Sequence, residues 1–204
     1  IGVGLYREQQ GQLVRDRLIE VDVTGALTPV PEVVGEPVPD LLLLNDGDLT
    51  FAKIRLDEHS ARTAVAEIGR VEDSLARTLI WGAAWDMTRD AEMACGDYVE
   101  LVCSGIVVES DISVVQTTLR QTKAAVDQYA AAANRDAYNE KMAGMLWDAA
   151  SAADPGSDHQ LAFVRSFAGF AESEQDLDRV AGLVDGTLVL DGLTVDTDLR
   201  WGLL

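Results

Sequence analysis

The chain has 204 residues, 48% hydrophobic and 25% charged, which allows one large domain or two small ones around a true apolar core. Thirty-five acidic residues against 16 basic ones leave a net charge of −19, a balance that repels phosphate backbones and disfavours nucleic acid as a partner. The longest pure apolar run, Leu41 to Leu44, is strand-sized and far short of the roughly 18 residues that argue for a membrane span, so no membrane partner is expected.

The opening stretch "IGVGLYREQQ" starts on Ile1 and has neither a charged n-region nor a long apolar h-region, so it is not a signal peptide. It reads as the interior of a longer polypeptide. In residues 13–23, "LVRDRLIEVDV", Ile19, Val21 and Val23 alternate with Glu20 and Asp22, the period of a half-exposed strand. "TGALTPV" predicts a turn and a short return strand, and "PEVVGEPVP", with three prolines and a glycine, predicts a loop or irregular edge. Leu41–Leu44 then reads as one arm of a β-hairpin. "NDGD" is its turn, where Asp46-Gly47 offers easy positive φ. Residues 49–56 are the other arm, with Ala52, Ile54 and Leu56 inward and Lys53 and Arg55 outward. These strands make residues 1–57 a small β-sandwich or part of one, antiparallel because the connections are too short for crossovers.

After Ser60 the apolar period changes from 2 to about 3.6. "SARTAVAEIGR" is a first helix; "EDSLARTLIWGAAWDMTRDA" is a second, with Leu75, Leu79, Ala83 and Met87 at fourfold spacing; "GDYVELVCSGIVVE" is a third. A long fourth starts at a Ser110 cap and lines Ile112, Val115, Leu119 and Val126 along one face. A fifth carries Tyr138, Met142, Met145 and Ala149. "PGSD" breaks the chain, and Ser157–Gln160 forms a capping box for a sixth helix holding Leu161, Val164 and Ala168. In the seventh, Leu177, Val180, Ala181 and Val184 fit i, i+3, i+4, i+7, and Gly186 ends it. "TLVLDG" is a short extended piece. Asp196 and Thr197 cap a last helix with Leu199, Trp201, Leu203 and Leu204, read as a second cut end whose apolar cluster should fray or find a partner. The expected fold is therefore α+β: a short β-sandwich remnant over 1–57, a junction with almost no linker, and an all-α domain of helical hairpins over 58–204. A compact bundle and a curved stack of hairpins both fit, and no repeat of fixed period is evident.

Little in the chain carries chemistry. His59 and His159 stand alone at predicted helix starts, with no H-E-x-x-H pair, so capping or surface roles are expected of them. "GVGLYR" begins like a dinucleotide fingerprint, but Arg7 occupies the third glycine position. "NDGD" and "DPGSD" lack the twelfth-position glutamate of a calcium loop. Cys95 and Cys103 fit neither a disulfide framework nor a zinc knuckle and read as buried free thiols of a reducing, cytoplasmic compartment. Trp81, Trp85, Trp147 and Trp201 read as core packing. Glu172, Glu174, Asp176 and Asp178 gather at a helix start, where acids meet the helix dipole favourably. No catalytic, cofactor-binding or metal-ligating residue is assigned.

"LLLLNDGDLTFAKIRLD", "SLARTLIWGAAWDMTRDAEM", "YVELV", "ESDISVVQTTLRQ" and "LDGLTVDTDLRWGLL" together resemble the C-terminal part of the aminopeptidase N family of zinc exopeptidases, in its actinobacterial type. The resemblance runs over nearly the whole chain. It implies that residues 1 to about 57 end a β-sandwich domain and that 58–204 open a helical domain of HEAT-like hairpins that closes over the active site. It implies zinc in the parent enzyme, held by H-E-x-x-H and a downstream glutamate, with G-x-M-E-N for the substrate amino group. Neither motif occurs here, so the implied role is non-catalytic, with the parent's own catalytic domain and peptide substrates as partners. The other reading is a free-standing helical adaptor that binds a peptide or protein partner.

Overall fold

The computed structural model describes residues 1–204. It divides into two compact units, Ile1–Val108 and Glu109–Leu204. No helix is long and apolar enough to cross a membrane. A small sheet is followed by helices, so the α+β expectation is borne out.

The first unit begins with strands β1 (Gly2–Gln9), β2 (Gln12–Glu20) and β3 (Leu41–Leu44), in the order β2-β1-β3 and antiparallel throughout. Gln10 and Gly11, both at positive φ, make the two-residue turn that suits the twist of a hairpin. Alternation sorts the side chains into two faces. Val3, Leu5 and Ile19 form one apolar cluster, against which Val30, Val33, Leu42 and Leu44 pack. Tyr6, Leu13, Leu41 and Leu43 are fully buried. Helix α1 (Glu58–Glu67) packs on β3 and on α3 (Cys95–Gly105), and α2 (Ser74–Arg89) precedes α3.

The expected hairpin over 41–56 does not form: β3 pairs with β1, and residues 49–57 join no strand. The two paths part at the turn. Asn45, Gly47 and Asp48 all adopt left-handed backbone, and Asn45 Nδ2 donates to Thr50 O at 2.7 Å and to Asp48 Oδ1 at 3.1 Å. That winds the chain off the sheet instead of back along it. Ile54 and Leu56 are still buried, as the alternation predicts, but Ala52, Leu49 and Phe51 are exposed. Lys53 and Arg55 point outward and pair with Asp90 and Glu92. "TGALTPV" makes no strand either. The strand the sequence hid is β1, whose Gly2 and Gly4 lower its β-propensity. On α2 the expected stripe holds at its C-terminal half, where Ala83 and Met87 are buried, but at the start the covered side is Ala76, Ile80 and Trp81, with Leu79 half-buried and Leu75 exposed.

The second unit contains α4 (Ile112–Ala124), a π-helical turn (Ala125–Tyr129), α5 (Ala132–Ala152), α6 (Asp158–Phe170), α7 (Glu174–Asp185) and α8 (Thr197–Gly202). α6 packs against α4, α5 and α7. The α4 cap is Asp111 rather than Ser110, because its carboxylate reaches Ser113 N at 2.8 Å and Val114 N at 3.3 Å. Ser157 caps α6 as expected, but the box is not reciprocal. The buried Gln160 side chain accepts from Gly156 N at 2.8 Å and donates to Asp191 O at 3.0 Å, tying two loops together. Gly186 ends α7 in left-handed backbone. Leu177 was expected inward yet is 52% exposed, and Leu183 is the buried apolar side chain of that helix. In α8 the predicted cluster splits by helical geometry: Leu199 and Leu203, one turn apart, are buried, while Trp201 (74% exposed) and Leu204 face outward.

Candidate functional site

In the first unit, a pocket of about 310 Å³ is lined by Leu5, Val33, Val38 and Leu42 with Asp57, His59 and Ser60 at one side. Three residues of the types used in hydrolytic triads thus lie within four positions of one another. Their hydrogen bonds assign them a structural role. The buried Ser60 hydroxyl donates to Asp57 Oδ2 at 2.5 Å and accepts from Leu42 N at 2.9 Å. Asp57 Oδ1 accepts from His59 N at 2.9 Å and Ser60 N at 3.1 Å, as an N-cap. Burial raises the Asp57 carboxyl, but the hydrogen bonds from Ser60 and His59 outweigh it and hold the group below its ordinary value. A hydroxyl with its proton on a capping carboxylate and its lone pair on a strand amide is not an activated nucleophile. It is the pin that joins β3 to the start of α1. His59 sits in the first turn of the helix, exposed.

Behind the sheet, Asp46 is buried and accepts from Tyr6 Oη at 3.0 Å and from Arg15 Nη1 at 3.3 Å. Burial, with the Asp46 charge second, pushes the Tyr6 phenol well above its ordinary value. Gly2 and Gly4 lie against this group, and a Cβ on Gly4 would overlap the Asp46 carboxylate. The glycines of "GVGLYR" thus make room for a buried acid.

In the second unit, His159 Nε2 lies 2.9 Å from Glu109 O, and its ring meets Phe163 edge-on. The acidic stretch at the start of α7 is capped through one hydroxyl: Asp176 N donates to Ser173 Oγ at 3.1 Å, and Ser173 Oγ donates to Asp176 Oδ2 at 2.7 Å. Arg179 then neutralises Asp176 and lies over the Trp147 ring. Trp81 is core, as expected; Trp201 is not. Cys95 and Cys103 are free thiols, but both are partly exposed rather than buried, and partial burial alone raises the Cys95 thiol above its ordinary value. No three His, Cys, Asp or Glu side chains converge to hold a metal ion.

A groove of about 340 Å³ runs between α4 and α6, floored by Leu119, Ala162 and Phe170 and edged by Gln116, Arg120, Lys123, Arg165 and Ser166. Lys123 pairs with Asp127 at 2.5 Å and stands 5.5 Å from the Phe170 ring centroid; Arg165 pairs with Asp198 at 2.5 Å. Sequence reasoning missed this feature. The one available signal was Gln116 and Arg120 at i, i+4 beside the apolar stripe of α4, and it acquires meaning only once α6 lies opposite.

Residues 41–204 match the family model of the ERAP1-like C-terminal domain. The chain is also 50% identical over 202 residues to aminopeptidase N of Streptomyces lividans, an alignment covering 98% of this chain and 24% of that protein. The chain therefore spans about a quarter of the length of the curated relative it matches, and the resemblance drawn from its phrases is borne out. The family match starts at Leu41, the first residue of β3, and takes in every α-helix. The chain belongs to the ERAP1-like C-terminal domain family.

Proposed function

We propose that this chain is the non-catalytic C-terminal portion of a zinc aminopeptidase that removes N-terminal residues from peptides. In that protein it walls the catalytic chamber and limits which substrates enter. The observation that carries this reading is the 50% identity to an aminopeptidase N, sustained over 98% of the chain. The helices stack as HEAT-like hairpins in this reading, the chain's partners are its own catalytic domain and peptide substrates, and the compartment is the cytoplasm. Zinc would sit outside this chain. The residues present do not fit it, since no three potential ligands converge, His159 is engaged with Glu109 O, and His59 stands at a helix start. No step of peptide hydrolysis is assigned to these residues.

The test is a chimera in which this chain replaces the matching segment of the Streptomyces lividans enzyme. The chimera should hydrolyse an aminoacyl chromogenic substrate, and a chelator should abolish that activity. A chimera that folds, by circular dichroism, yet is inactive while the unaltered relative is active would contradict the reading.

A further inference from the structure

The sequence holds three Asp-Gly pairs: Asp46-Gly47, Asp185-Gly186 and Asp191-Gly192. Each has the same latent chemistry, attack of the glycine nitrogen on the preceding carboxyl, because glycine has no Cβ to keep that nitrogen at a distance. The fold treats the three differently. At the first, the carboxylate is buried and accepts from Tyr6 Oη at 3.0 Å and Arg15 Nη1 at 3.3 Å. At the second, Asp185 Oδ1 accepts from Thr187 N at 2.9 Å and Thr187 Oγ1 at 2.6 Å, and Gly186 N donates to Gly182 O at 3.0 Å. Electrophile and nucleophile are both engaged there. At the third, neither is. Asp191 and Gly192 are the exposed centre of a tight turn closed by Leu193 N donating to Leu190 O at 3.1 Å. The Asp191 carboxylate and the Gly192 N–H have no hydrogen-bond partner in the protein. What the fold does grip is the turn's backbone. Gln160 Nε2 donates to Asp191 O at 3.0 Å, while Gln160 Oε1 accepts from Gly156 N at 2.8 Å. The turn sits so close on the Pro155–Gly156 loop that a Cβ on Gly192 would stand 2.4 Å from Gly156 N.

We propose that Asp191-Gly192 is a self-modification site, where the turn converts to isoaspartate and lets go of the Pro155–Gly156 loop. Gly192 N forms a bond to Asp191 Cγ. Its proton, one carboxyl oxygen and a proton from solvent leave as water, closing a five-membered succinimide. Water then adds to one of the two ring carbonyls, the nitrogen's bond to that carbon breaks, and a proton returns to solvent. Opening at Cγ restores aspartate. Opening at the main-chain carbon leaves isoaspartate, with the chain running through Cγ. No mass is gained or lost, and water is the only co-reactant. In the product the chain is one methylene longer, and the former Asp191 carbonyl is a free carboxylate. The acceptor that Gln160 Nε2 uses is then no longer part of the main chain, so Gln160 ceases to fasten the turn to Gly156. The close packing on Pro155 and Gly156 leaves no slack on that side to take up the added carbon.

The experiment ages the 204-residue chain at neutral pH, folded and in concentrated urea. Tryptic peptides are then sequenced by electron-transfer fragmentation, whose fragment ions separate isoaspartate from aspartate at each position. Dividing each site's folded rate by its own rate in urea isolates the effect of the fold. That ratio should be highest for Asp191, with Asp46 and Asp185 lower by about tenfold or more, the factor by which a hydrogen bond to a charged group holds it in place. Asp191→Glu keeps the charge but would need a larger ring, so isoaspartate should no longer form at position 191. In the chromatographically separated isoaspartate form, hydrogen exchange of Gly156 N–H should be about tenfold faster than in unmodified chain, and aged Asp191→Glu should show no such rise. The proposal is overturned if the folded chain gains no isoaspartate at 191. It is equally overturned if the ratio at 46 or 185 matches that at 191, or if Gly156 exchanges at the same rate in the modified form.

Discussion

Gly4→Ala is a one-carbon test of why the chain begins as it does. Gly4 lies in the middle of β1, the central strand, in register with Leu18 of β2 on one side and Leu43 of β3 on the other. A Cβ there would overlap the Asp46 carboxylate, at 2.8 Å from its Cγ and 2.9 Å from Tyr6 Cε2. The backbone is held by two ladders, so the carboxylate must give way, and with it the bonds from Tyr6 Oη at 3.0 Å and Arg15 Nη1 at 3.3 Å. Overpacking costs about 1–3 kcal/mol. Losing a charge-assisted bond to a buried acid costs about 1.5–3 kcal/mol. The stiffer unfolded chain offsets about 0.4–1 kcal/mol. The expected loss is roughly 2–5 kcal/mol in the opening free energy of the first unit. Native-state hydrogen exchange of the β1–β2 ladder amides reads it directly. In an Asp46→Ala background the closest obstacle is gone and only the Tyr6 ring edge remains, so the same glycine change should cost about 1–3 kcal/mol less than in the native background. Equal costs in the two backgrounds would show that the Asp46 carboxylate is not what keeps a side chain out of position 4.

Three further outcomes follow from the same geometry. Ser60→Ala strips the partner from Leu42 N and a bond from Asp57, so it should cost about 1–3 kcal/mol by urea unfolding; it should also raise the Asp57 titration midpoint seen by NMR, since Ser60 helps hold that carboxyl down. The Asp57 contribution to stability is present at neutral pH and lost as pH falls through its lowered value. Tyr6 has the opposite sign: its phenol is raised, so its contribution is complete below the ordinary tyrosine value of about 10 and drains away as pH climbs above it. Alkaline unfolding should set in above about pH 10 in the native chain and be blunted in Tyr6→Phe, measured against that variant's own neutral-pH stability. Leu199→Ala should cost about 2–5 kcal/mol in the second unit, while Trp201→Ala should cost under about 1 kcal/mol, a contrast that thermal unfolding resolves.

The helices were legible because their caps and periods are local: Ser157, Asp196 and Gly186 act where the sequence put them. The sheet was less so. A turn such as "NDGD" states that the chain reverses, but whether it returns along the same ladder depends on Asp46 being drawn under β1 by Tyr6 and Arg15, contacts 31 and 40 residues away. β1 was hidden by glycines whose purpose is steric and visible only with Asp46 in place. Helical stripes were read to within a turn, and the errors at Leu75 and Leu177 arise because neighbours, not periodicity, choose which side of the stripe is covered. The α4–α6 groove needs two helices 40 to 50 residues apart in sequence and leaves almost no local trace.

The proposed role of this chain, shaping access to a peptidase chamber, is read by the length dependence of cleavage by the Streptomyces lividans chimera. The ratio of kcat/KM for a decapeptide to that for an aminoacyl reporter should differ between the chimera and the same enzyme lacking the segment, through the decapeptide value above all. An identical ratio in the two proteins, each folded and active on the reporter, would contradict the claim.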